Sequence, residues 1–152
     1  MHNLEQSLSE LYTYVPNAEK MYQPVSSANV GWHIEHILLV ILNISKSVVK
    51  SDPKNYKWKF NFARLLVFPL NRFPRGKGKA PDVVNPQQTE KTDFDALFAK
   101  TRQAIEDLKK TEPNQYFNHS ILGILNKKNT FKILAIHTRH HILIIKDILS
   151  HA

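Results

Sequence analysis

NTFKILAIHTRHHILIIKDILS, from Asn129 to Ser150, decides the fold. At about 100° per residue, Ile133, Leu134, Ile144, Ile145 and Ile148 fall on one stripe of a helix, while Lys132, Arg139 and Lys146 point elsewhere. His137 and His141 lie inside that apolar stripe. Two imidazoles in such a place are costly unless their nitrogens are satisfied. The i, i+4 spacing stacks them one turn apart, so both can reach a single ion at about 2.0–2.1 Å. Helical His-x-x-x-His also arises by chance, and two core histidines bonded to carbonyls satisfy the same pattern.

Working outward, three further segments carry helical periodicity. The first runs from about Leu4 to Val15, with Leu4, Leu8, Leu11, Tyr12 and Val15 along one stripe, and Pro16 ends it. The second runs from about Asn29 to Lys50 and is closed by Ser51, Asp52 and Pro53. The third starts around Thr92, with Thr92 as cap and Asp95 three residues on, and stops at Glu112, Pro113 and Asn114. Between the second and third lies a long irregular stretch, 52–86, in which Tyr56 to Leu70 is aromatic and accommodates a short helix. A connection of that length inside a domain is commonly functional or mobile. The expected architecture is all-α: a single-domain four-helix bundle, residues 1–152, with one long crossover between its second and third helices.

Composition agrees with helices. The chain has 152 residues, 42% of them hydrophobic, and only four glycines, a scarcity that suits helices better than a turn-rich sheet. It has no cysteine, which removes disulfides, thiolate ligands and a cysteine nucleophile. The start of the chain lacks a basic and then apolar leader, and the longest apolar run, Ile37 to Leu42, is too short to cross a bilayer. A cytoplasmic protein with no membrane partner is the expectation. The net charge is +8, much of it between Lys50 and Lys79. Such a balance attracts anions, although a solvated basic face is the simpler explanation.

The second helix is apolar almost all round, yet Asn29, His33, His36, Asn43 and Ser47 share one narrow stripe. That stripe is either a solvent face or the wall of a buried polar site. A third histidine from it completes a three-histidine centre with an open position, which zinc favours and nickel or iron also accept. On the residues alone, His33 and His36 both qualify.

Trp32-x-x-x-His36 at the start of the second helix and His137-x-x-x-His141 in the last resemble the DinB/YfiT-like superfamily of metalloenzymes. The approach Phe117-Asn118-His119-Ser120-Ile121-Leu122-Gly123 is similar to one uncharacterised subfamily of it. The resemblance covers most of the chain. It implies a four-helix bundle with a metal site between helices, frequently in a homodimer, and relatives that act on low-molecular-weight thiols. Carried over by position, it implies His36, His137 and His141 as ligands of a divalent ion; His33 and Asn43, which share the polar stripe with His36, are expected to line the pocket.

His119 is expected to serve a turn or cap, and His140 to flank the stripe. Glu35 points about 100° away from His36, and no Asp or Glu shares either histidine stripe. A hydrolase would want a base there. The absence favours a metal-dependent enzyme acting on a small anionic substrate or thiol, with zinc or nickel as the ion. The alternatives are a non-catalytic metal-binding bundle and a nucleic-acid binder using Lys54, Lys57, Lys59, Arg64, Arg72, Arg75, Lys77 and Lys79 with the interleaved Tyr56, Trp58, Phe60 and Phe62. No nucleic-acid motif accompanies those cations, so no specific nucleic acid is expected. The apolar side of the second helix that carries Leu38, Ile41 and Leu42 is expected to need a second copy to cover it.

Overall fold

Each long helix begins where a side chain satisfies its first free amides. The computed structural model describes residues 4–70, 85–86 and 92–152. In it, Asn29 Oδ1 accepts from the Trp32 amide at 2.8 Å and opens α2 (Val30–Lys50), after the short α1 (Leu4–Tyr12). The helix α3 (Phe62–Leu70) lies within the aromatic stretch Tyr56 to Leu70, where a short helix was expected. Asp93, not Thr92, caps α4 (Phe94–Lys110), accepting from the Ala96 amide at 3.0 Å. Thr92 is drawn away because its hydroxyl donates to Glu35 Oε2 at 2.7 Å. Asn126 caps α5 (Lys127–Leu149), accepting from the Asn129 amide at 3.1 Å.

The chain is mostly helical, and one antiparallel hairpin interrupts the pattern. Strand β1 (Tyr116–His119) pairs with β2 (Gly123–Asn126), with His119 opposite Gly123. The all-α expectation included no strand here. Gly123 has φ 68°, a left-handed conformation that a residue with a Cβ adopts at a cost. His119 has the turn role expected of it: its Nδ1 accepts from the amides of Ile121 and Leu122 at 3.1 and 3.3 Å. Burial lowers the pKa of this ring below its ordinary value, which favours the neutral acceptor form.

Cross-links between helices fix their directions. Glu5 pairs with Lys109, and Tyr12 Oη donates to Asp95 at 2.7 Å, so α1 and α4 run antiparallel. Glu35 near the start of α2 meets Thr92 just ahead of α4. Gln115 beyond the end of α4 donates to the carbonyls of Val48 and Val49 at 3.1 and 3.0 Å. Thus α2 and α4 are parallel neighbours, an arrangement that requires a long crossover. The Tyr116 amide donates to Ser51 Oγ at 2.8 Å, so the hairpin sits at the C-terminal end of α2. From there α5 returns along α2 in the opposite direction.

The shared core includes Leu8, Leu11, Ile34, Ile37, Ile105 and Leu134, all buried. Leu38, Ile41 and Leu42 are buried within this chain as well. The face of α2 expected to need a second copy is therefore covered by the chain's own helices. By length and composition α2 is long and apolar enough to cross a bilayer, a property the run Ile37 to Leu42 did not reveal, and half of that stretch is buried inside this fold. The basic residues Arg72, Arg75, Lys77 and Lys79 lie outside the described residues.

Candidate metal centre

Because α2 and α5 are antiparallel, residues ascending one helix meet residues descending the other. His33 accordingly faces His141, with ring centroids 5.2 Å apart, and His36 faces His137 at 5.2 Å and His141 at 4.8 Å. His137 and His141 stand 4.6 Å apart, as one helical turn requires. One ligand nitrogen from each of His36, His137 and His141 can be chosen so that all three lie within 4.8 Å of one another. The three can hold one metal ion. The structure thus brings together the residues that the resemblance implied.

The surroundings keep the rings neutral. Burial, then the neighbouring His36 and His140, lowers the His33 pKa to about 4. Burial is again the first cause at His137, with His36, His140 and His119 following, and takes it to about 3. His141 is held well below the ordinary imidazole value by burial and by four neighbouring histidines, His137 first. A neutral imidazole has a lone pair to offer, and it spares a bound cation the repulsion that an imidazolium would exert.

Two further contacts orient the cluster. Trp32 stacks on His36, with centroids 4.9 Å apart and planes 9° apart, and its indole N–H donates to Asn85 Oδ1 at 3.3 Å. His33 lies outside the group of three. Its Nδ1 is 3.0 Å from His141 Nδ1, and its Nε2 is 3.0 Å from Ser26 Oγ. Ser26 was missed in the sequence. It precedes the helix and carries no periodic signal, although its hydroxyl closes a local turn by accepting from the Ala28 amide at 3.1 Å.

The other candidates are placed as follows. Asn43, two turns beyond His36, folds its amide onto the Leu39 carbonyl at 2.8 Å. Asn29 is the helix cap. His140 sets its ring edge against His141 at 5.1 Å. The Glu35 carboxylate accepts from Thr92. Among the described residues, no carboxylate belongs to the group of three.

No family model, curated protein or solved structure matches this chain.

Proposed function

We propose that the chain is a four-helix bundle of the DinB/YfiT-like type, holding one divalent ion on His36, His137 and His141 and acting on a low-molecular-weight thiol. The observation that supports this reading is the convergence of three imidazoles from two antiparallel helices. The donor set suits zinc or nickel, since it is all nitrogen and supplies three of the four positions of a tetrahedral site. Ligands around such an ion at about 2.0–2.1 Å stand about 3.4 Å apart.

Hydrogen bonds behind the ligand rings decide which nitrogens are used. His141 Nδ1 is engaged by His33, which leaves Nε2 as its ligand atom. His141 then donates its Nδ1–H to His33 Nδ1, and His33 donates its Nε2–H to Ser26 Oγ. Ser26 and His33 thereby hold the His141 ring in one tautomer and one orientation. A divalent ion here would supply Lewis acidity towards a substrate sulfur. Thiol transfer needs less acid–base machinery from the protein than hydrolysis does, which agrees with a group free of carboxylates. Any homodimer uses a face other than that of Leu38, Ile41 and Leu42.

The test compares zinc- and nickel-loaded protein with His137→Ala, each incubated with a small thiol and an electrophile. Metal-dependent thiol consumption that His137→Ala loses is the expected result. Equal consumption by both rejects the reading. A second reading, a metal that only ties α2 to α5, is favoured by ligands drawn from two helices. It would show as thermal stabilisation without thiol consumption.

A further inference from the structure

The helix α3 packs Ala63, Val67 and Phe68 against the core and turns a second apolar stripe to solvent. Phe62, Leu65, Leu66 and Leu70 occupy positions i, i+3, i+4 and i+8, within an arc of about 140°. All four are exposed, at 65%, 57%, 50% and 69%. The one charged residue of the helix, Arg64, points inward and is buried. Its guanidinium donates to the carbonyls of Ile124 and Lys59, the former at 3.2 Å. The Asn61 amide donates to the Ile121 carbonyl at 3.0 Å. Lys132 of α5 stands 4.8 Å over the Phe68 ring. These contacts fix the rotation of α3, so the apolar stripe is turned to solvent by built interactions and not for want of a docking site. The two aromatic residues just before the helix, Trp58 and Phe60, are exposed at 66% and 68%. Lys54, Lys57 and Lys59, also exposed, surround them. No acidic residue occurs from 53 to 70.

We infer that this face is a docking surface for an anionic lipid bilayer, with α3 lying in the interfacial plane. An exposed aliphatic and aromatic stripe bordered by lysines is the chemistry that such an interface takes up. The apolar side chains enter the acyl boundary, Trp58 lies at headgroup level, and the lysines meet the lipid phosphates. Charge argues against a second copy as the occupant. A two-fold contact would bring the same lysines of both chains together with no acid to answer them. Nucleic acid would account for the lysines and aromatics but leaves Leu65, Leu66 and Leu70 without a role. The expectation of no membrane partner rested on the absence of a spanning segment. Lying on a bilayer needs no such segment.

The test is co-sedimentation of the full chain with vesicles of phosphatidylcholine alone and of phosphatidylcholine containing phosphatidylserine. Binding to the anionic vesicles, weakened by salt and at least tenfold weaker on neutral ones, is expected. Leu65→Glu with Leu66→Glu should abolish it, and Lys57→Ser with Lys59→Ser should weaken it by about fivefold per lysine. Both double variants lie away from the histidines and should bind zinc as the wild type does, which separates lost binding from lost folding. Trp58→Phe should remove the fluorescence blue shift that accompanies binding. Three results would overturn the inference. One is no binding to anionic vesicles. Another is nanomolar binding of RNA or duplex DNA that Leu65→Glu with Leu66→Glu leaves intact. The third is a dimer in sedimentation that the same double variant dissociates.

Discussion

The α2/α5 contact and α3 solve opposite problems with similar residues. Between α2 and α5, imidazoles are turned into an apolar core, and each must find a partner or a ligand there. On α3, three leucines and Phe62 are turned out to solvent while Arg64 is turned in beside Ala63, Val67 and Phe68. Both arrangements run against the ordinary partition of polar and apolar groups. In each case the cost is met locally: Ser26 and His33 support His141, and the carbonyls of Ile124 and Lys59 satisfy Arg64. On the proposals made above, these are the two places where the chain meets something outside itself, an ion at the histidines and a bilayer at α3.

Breaking either support should separate the two regions, and the largest effect belongs to the metal. Zinc at about a thousandfold over its Kd should stabilise stripped protein by about 4 kcal/mol, read as a rise in Tm. His36→Ala, His137→Ala or His141→Ala should remove that rise, and Leu66→Ala should not.

The support of His141 comes next. His33→Phe or Ser26→Ala should weaken zinc binding by about 10–100-fold while the end point of a titration stays at one equivalent. An unchanged affinity would separate His33 from the centre.

Arg64→Ala should cost about 2 kcal/mol in denaturant unfolding, because it removes the hydrogen bonds of a buried charged group to two carbonyls. Its zinc affinity should stay as in the wild type. For contrast, Leu66→Ala on the exposed stripe should change stability by no more than about 0.5 kcal/mol.

A separate effect depends on pH. In metal-stripped protein the folded-state values of His33 and His137 lie near 4 and 3, below the ordinary 6.5. Between those limits the unfolded chain binds protons that the folded chain does not. Stability should then fall as pH drops below about 6.5 and stay flat above it. Thermal melts at pH 7.5 and 5 check the sign. His119→Ala should keep the metal and cost about 1 kcal/mol, through the two turn amides left without their acceptor.

Long periodic elements were legible in the sequence to within a few residues. α2 and α5 announce themselves through many apolar positions, and a His-x-x-x-His on one face follows from helical geometry alone. Which of His33 and His36 joins that pair depends on the register between two helices, which intrahelical spacing does not contain. The cap of α4 was misread because Thr92 and Asp93 both suit the position, and the deciding contact, Thr92 to Glu35, joins residues 57 apart in the chain. The hairpin was hidden by its length, four residues per strand. Gly123 and the apolar pairing of Phe117 with Leu125 were its visible traces. The outward turn of this α3 stripe had no sequence signal, since the same stripe turned inward would read identically. Its sense is set by where Arg64 finds carbonyls.

The central claim is that three histidines from two helices hold one ion, with His33 as support. Zinc titration of stripped wild-type, His36→Ala and His33→Ala proteins, followed to the end point, tests it most directly. The account predicts one equivalent for the wild type, one equivalent at weaker affinity for His33→Ala, and loss of stoichiometric binding for His36→Ala. A full equivalent in His36→Ala with none in His33→Ala, or no zinc retained by the wild type, would contradict it.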